Sequence, residues 1–395
     1  MATAPDTSAG DDGGDAASFG LTEDQREFRA MAAQFAQNEL APHSARWDAE
    51  RHFPVDVLRE AASLGLGAIT CREEHGGTGL GRLDAAVLFE ALAYGDVSFT
   101  AYLTIHNMCC SVIDRFGTDA QRAHFLPALS RMDRLASYCL TEPNSGSDAA
   151  SLATSARRVA GTSDYALTGA KAFISGAGVS DVYLVMARTE GGITCFLVER
   201  DAPGLNFGKP EHKLGWNLQP TCAVTMEDVR VPEANVVGTE GQGFKIAMAA
   251  LDGGRVNIGA CSVGGAHFAL DQARAYAKDR KQFGKPLEGF QATQFALADM
   301  ATSLQASRLM VRHAAAALDA GHVGGTGQAA MAKRFATDAC FEVANRALQV
   351  HGGYGYLRDY PVERVMRDLR VHSILEGTNE IMRVIIARQM QENKI

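Results

Sequence analysis

The chain contains no Cys-x-x-Cys pair, no His-Glu-x-x-His and no apolar run long enough to span a bilayer. Its eight cysteines, Cys71, Cys109, Cys110, Cys139, Cys195, Cys222, Cys261 and Cys340, are scattered, and the adjacent pair Cys109-Cys110 is not spaced as a ligand set. They are expected to be reduced, mostly buried thiols of a cytosol-like compartment, not disulfides or a zinc site. No metal is expected from the eleven histidines either. Positive charge is also short: 38 Lys and Arg stand against 46 Asp and Glu, a net charge of -8, which gives no support for nucleic-acid or anionic-membrane binding. No serine sits in a Gly-x-Ser-x-Gly elbow. The glycine-rich Gly76 to Gly81 lacks the preceding strand and the spacing of a dinucleotide fingerprint, and Gly284-Lys285-Pro286 lacks the Ser or Thr of a phosphate loop.

What is present is 395 residues, 46% hydrophobic and 21% charged, enough for two or three globular domains. Residues 1–18 are rich in Ala, Gly, Asp and Ser, without the arginines of a transit peptide or the apolar core of a signal peptide. They read as a disordered tail. Residues 19–135 read as helical, with a capping box at Thr22 to Gln25 and helices expected over 54–64, 83–94, 106–116 and 120–129. Pro42 should end or bend the first helix, and Pro127 should strain the last. Residues 136–243 change texture. Short β-rich runs at 165–169, 182–187 and 194–198 alternate with Gly and Pro turns, as in a small all-β unit. Residues 244–395 are helical again, with long candidates at 244–278, 291–320, 328–350 and 380–391, and His351-Gly352-Gly353 is a natural helix stop.

Glu376 lies in Ile374-Leu375-Glu376-Gly377-Thr378-Asn379-Glu380. A carboxylate between a leucine and a glycine is placed for partial burial, and desolvation raises a carboxyl pKa toward that of a general base at neutral pH. Taken alone, Leu-Glu-Gly-Thr is also an ordinary loop. Leu140 to Asp148 is dense in hydroxyls and turn formers; it suits a ligand approaching the backbone, or equally a capped connection. Asp252-Gly253-Gly254-Arg255 puts two glycines inside an apparent helix, at about 1 kcal/mol each. Something must approach that backbone closely, either a ligand or a neighbouring helix. Arg280 to Gly284 offers a planar cation beside Phe283, suited to a pyrophosphate and an adenine face or to a solvated helix end.

Together these segments resemble the acyl-CoA dehydrogenase family. The resemblance is carried by Cys139 to Asp148, by Arg280 to Gln291, by Gln349-Val350-His351-Gly352-Gly353-Tyr354-Gly355 and by Leu375 to Glu380, in order along the chain from about Leu21. It implies an α+β fold: an N-terminal helical domain, a central β-barrel or sandwich domain and a C-terminal four-helix bundle. It also implies a homotetramer, a dimer of dimers, with non-covalent FAD, an acyl-CoA substrate and an electron-transfer flavoprotein as acceptor. By position, Tyr138, Cys139, Leu140, Thr141 and Ser147, with Phe173, Ile174 and Ser175, would cradle the isoalloxazine, Ser175 near N5. Arg280, Phe283, Phe290, Gln291, Gln349, Val350, His351, Gly352 and Gly353 would hold the pyrophosphate and adenosine of a partner subunit's FAD. Thr378, Asn379 and Glu380 would also touch FAD. Ser147, Asp252, Gly253, Gly254 and Arg255 would line the acyl-CoA path to the base, Glu376.

In isovaleryl-type relatives the base lies just before the equivalent of Arg255. Gly254 holds that position here, which leaves Glu376 as the sole base. The finer resemblance, at 148–152, 171–178, 215–221 and 298–302, is to members acting on isobutyryl-CoA in valine degradation. Butyryl-CoA and 2-methylbutyryl-CoA remain open as substrates. A catalytically silent flavin-binding or assembly module remains open as a different class. The setting expected is the cytoplasm, or the mitochondrial matrix for a mature eukaryotic form.

Overall fold

The computed structural model describes residues 18–395. The expected tail lies outside the described residues except for Ser18. Thr22 caps helix α1 (Glu23–Phe35) by the foreseen reciprocal box with Gln25. The helix then widens into a π turn (Ala36–Leu40), in which Ala41 N–H reaches Ala36 O, just before Pro42. Helices α2 (Ser44–Glu50), α3 (Val55–Ser63), α4 (Arg82–Gly95), α5 (Val97–Phe116) and α6 (Asp119–Ser130) follow. Helix α5 starts well before the expected residue 106. The Asp96 side chain caps it by accepting from Phe99 N–H at 2.8 Å, and burial of nearly every residue outweighs the weak propensity of Val97, Phe99 and Thr100. Helix α6 runs through Pro127 to Ser130.

The central region forms one mixed sheet. Its strands are β1 (Ala136–Cys139), β2 (Ser155–Arg158), β3 (Tyr165–Ser175), β4 (Val182–Thr189), β5 (Gly192–Glu199), β6 (Leu205–Phe207), β7 (Thr221–Val231) and β8 (Val236–Val237). The order is β6-β7-β3-β2-β4-β5-β8, with β1 parallel to β4. Strand β4 reads as an unbroken apolar run because it is buried on both faces. Its Tyr183, Val185 and Ala187 join the core on one face of the sheet. Val182, Leu184 and Met186 pack on the other face with residues of α5, α6 and the next helix.

Helix α7 (Gly243–Asp279), 37 residues and about 55 Å long, crosses back from the sheet. A small hairpin, β9 (Lys281–Gln282) and β10 (Lys285–Pro286), leads to α8 (Gln291–Asp319), α9 (Gly325–His351), α10 (Val362–Arg370) and α11 (Asn379–Gln391). Helix α9 stops at Gly352 with φ 58°, as foreseen; α10 was not foreseen. One apolar core unites α1, α4 and α5 with α7, α8 and α9. The helices before and after the sheet are thus packed as one body, and α5 and α7 run side by side beneath the loop between α10 and α11.

Candidate active site

That loop carries Glu376 at φ 56°, an uncommon backbone conformation for a residue with a side chain. The residue keeps some exposed surface, but its Oε2 is buried and has no hydrogen-bond partner among the described residues. A Cβ added to Gly254 of α7 would lie 2.5 Å from that Oε2. A Cβ added to Gly253 would lie 2.7 Å from Nη1 of Arg82, whose Nη2 donates to Ser111 Oγ at 2.9 Å. The two glycines therefore make room for a guanidinium and a carboxylate. Burial raises the Glu376 pKa to about 7, opposed by the charges of Arg255 and Lys333.

Those two cations hold the backbone around the carboxyl group. Arg255 pairs with Asp252 at 2.7 Å and its Nε donates to Glu376 O at 3.3 Å. Lys333, fully buried on α9, donates from Nζ to Gly377 O and Asn379 Oδ1, both at 2.8 Å. Burial pulls its pKa down to about 8, partly offset by Glu376. The Glu376 N–H bonds to no group among the described residues. Tyr138 OH is likewise buried without a partner, and burial followed by the charges of Cys195 and Glu376 pushes its pKa up.

The loop after β1 is pinned to β3. Lys171 forms a buried ion pair with Glu142 at 2.8 Å and donates to Leu140 O at 3.1 Å. Glu142 also accepts from Ala153 N–H and Thr154 N–H, and Ala172 N–H reaches Thr141 O at 2.9 Å. Between Lys171 and Ile174 the β3–β7 register slips by a bulge, and Phe173 turns outward at φ 59°, 68% exposed. Thr141, Phe173 and Ser175 are thus brought to the C-terminal end of β3. Ser147 lies exposed on the same loop. The side chains of Cys139 and Ile174 instead belong to the sheet's core, and Leu140 is buried, so these three offer a ligand mainly backbone.

Beyond Glu376, Thr378 Oγ1 caps α11 by accepting from Ile381 N–H at 3.3 Å. Asn379 is buried among Lys333, Thr337 and Asp338. Glu380 is exposed and pairs with Arg383. Their side chains serve the loop and helix rather than an open surface.

The other predicted residues gather elsewhere. Arg280 follows the last residue of α7, about 42 Å beyond Asp252 at 1.5 Å per residue. It lies over the Tyr354 ring at 5.5 Å and borders a cleft of about 380 Å³ with Val350, His351, Gly352 and Gly353. A Cβ on either glycine would meet nothing within 4 Å. Phe283, 94% exposed at φ 51°, projects from the β9–β10 turn, with Phe290 at 6.2 Å. Gln291 and Gln349 are exposed nearby in sequence, at the start of α8 and the end of α9. One chain therefore does not unite the two groups.

Both groups nonetheless fit a flavin dinucleotide. An outward aromatic and hydroxyls gather at the C-terminal end of β3, and an arginine, exposed rings and open glycine backbone lie beyond the C-terminal end of α7. Among the described residues no group of His, Cys, Asp and Glu is placed to hold a metal, and no helix is long and apolar enough to cross a membrane.

Three family models match the chain in order: the acyl-CoA dehydrogenase N-terminal domain over residues 22–133, the middle domain over 137–229 and the C-terminal domain over 241–391. The chain belongs to the acyl-CoA dehydrogenase family. Among its relatives, the mitochondrial isobutyryl-CoA dehydrogenase of Dictyostelium discoideum is 58% identical, covering 95% of this chain and 91% of that protein. The mitochondrial isobutyryl-CoA dehydrogenase of Bos taurus is 56% identical, covering 94% and 90%. The solved butyryl-CoA dehydrogenase of Megasphaera elsdenii superposes with a TM-score of 0.91 at 38% identity, covering 94% of this chain and 99% of that one. The family's helical, β, helical order is the order of elements seen here.

Four features of the site escaped the sequence reading. Lys333 was hidden in an alanine-rich helix, where a lone buried lysine is itself a signal. Arg82 lies one residue before the helix expected over 83–94. The Glu142–Lys171 pair needed the loop and strand to be seen together. Trp216, quoted only for the resemblance, lies under the Glu376 loop.

Proposed function

We propose that the chain dehydrogenates a short branched acyl-CoA, isobutyryl-CoA to methacrylyl-CoA, with Glu376 as the general base. The observation that carries this reading is the buried, unpartnered Glu376 Oε2 pressed against Gly254, its pKa raised to about 7 by burial. The proton next to a thioester carbonyl is weakly acidic. A carboxylate shielded from water is matched to removing it near neutral pH. Negative charge then develops on the thioester oxygen and needs a fixed donor. The Glu376 N–H, bonded to no group among the described residues, is free to serve. Bound FAD supplies the acceptor for the hydride that leaves the β-carbon. Thr141, Phe173 and Ser175 would hold its ring end. Arg280, Phe283, Gly352 and Gly353 of a second copy would hold the rest, which calls for a homo-oligomer, read as a tetramer of two such dimers. Electrons would pass on to an electron-transfer flavoprotein. Valine degradation is the setting, in the cytoplasm or, for a mature eukaryotic form, the mitochondrial matrix.

Anaerobic titration of the yellow holoprotein with isobutyryl-, butyryl-, 2-methylbutyryl- and isovaleryl-CoA tests the reading. Isobutyryl-CoA should bleach the flavin fastest. A faster response to another thioester would move the substrate. A yellow protein bleached by none would leave the silent flavin-binding module.

A further inference from the structure

We propose that the indole of Trp216 is the floor of the acyl slot and confines the enzyme to short acyl groups. The inference rests on the dehydrogenase reading above. On α7, Asp252 is partly exposed, and from Gly253 onward the helix is buried without a break to Ala266. A thioester with a polar carrier therefore enters from the Asp252 side, and its acyl end points down the helix. Gly254 faces the Glu376 carboxyl. Ile258, four residues or about 6 Å further on the same face, packs with Ala101 of α5 and Trp216, and Leu375 and Val371 close over them. One helical turn thus separates the glycine against the carboxyl group from the residue that packs on the indole.

Trp216 is also built unlike a core filler. It holds φ 55°. Its backbone N–H is fixed to Asp368 Oδ1 at 2.6 Å, and its ring lies 5.4 Å from that of His372. A buried indole N–H usually finds a partner, yet Nε1 has none among the described residues. Of the seven other non-glycine residues with positive φ among the described residues, Phe173, Phe283 and Glu376 are candidate site residues, whereas Arg51, Met132, Asp228 and Asn393 are not. Such strain concentrates at functional sites.

The test is kcat/KM for isobutyryl-, hexanoyl- and octanoyl-CoA in the holoenzyme and in Trp216→Ala and Trp216→Leu. The hexanoyl to isobutyryl ratio should rise at least about tenfold, the scale of one or two methylenes in an apolar pocket. An unchanged ratio in a variant that keeps its FAD and melting temperature overturns the proposal. If both variants fail to fold, Trp216→Phe decides: tighter binding of hexanoyl-CoA, read from flavin absorbance in a Glu376→Gln background, supports the floor, and unaltered binding refutes it. A parent enzyme that no acyl-CoA bleaches would fail the dehydrogenase reading instead.

Discussion

The site at Glu376 and the cleft at Arg280 share a backbone device and differ in almost everything else. Each presents a bulky residue at positive φ, Glu376 at 56° and Phe283 at 51°. The first has a buried oxygen, two flanking cations and a helix glycine against its carboxyl group. The second has a 94% exposed ring, an arginine lying on a tyrosine and glycines with open space beside them. Burial changes the chemistry of a group, so a reactive centre must be enclosed by its own chain. Exposed rings and cations change nothing until another surface covers them. The first region therefore reads as chemistry completed within one chain, and the second as binding completed by another copy.

The largest effect expected from breaking this contrast is at the base. Glu376→Gln should retain FAD and bind acyl-CoA, yet lose about 10²- to 10⁴-fold in flavin reduction, measured anaerobically by stopped flow. Gly254→Ala comes next. Its Cβ would crowd Oε2 from 2.5 Å, and displacing the carboxyl group should cost about 10²-fold in the same assay. The helix itself should gain up to about 1 kcal/mol of propensity, so activity and melting temperature would not fall together.

The cleft is sharpened by subunit mixing. Arg280→Glu should weaken FAD retention at every site it serves. When Arg280→Glu and Glu376→Gln subunits are unfolded and reassembled together, activity should exceed that of either alone. A Glu376 on one chain would then be served by Arg280 on another. No gain on mixing would place Arg280 with its own chain's flavin.

The smallest effect is on stability. The folded-state pKa of Glu376, about 7, lies above the ordinary carboxyl value of 4.5. Ionising it in the fold therefore costs stability increasingly as pH rises from 4.5 toward 7, and in full above that. Glu376→Gln should melt higher than the parent at pH 8 and nearly level with it at pH 5. Equal offsets at both values would mean a solvated carboxyl.

Glu376 stood out through the company its segment keeps along the chain, since Leu-Glu-Gly-Thr alone is also an ordinary loop. The long helices were legible through their period and stops, as at Gly352. What tertiary packing decides was not. Nothing near Val97 announces that α5 begins there, since burial overrides propensity. Arg82 and Lys333 acquire meaning only when α4 and α9 lie against α7 and the Glu376 loop. Cys139 and Ile174 stood in motifs expected to face a cofactor, but strand alternation turns their side chains into the core.

The proposed chemistry turns on the buried carboxyl oxygen of Glu376. The dependence of kcat/KM for isobutyryl-CoA on pH reports the ionisations of the free enzyme and tests it most directly. The predicted profile rises through an apparent pKa near 7, and that rise disappears in Glu376→Gln. A limb at the ordinary carboxyl value near 4.5, or the same limb in Glu376→Gln, would contradict it.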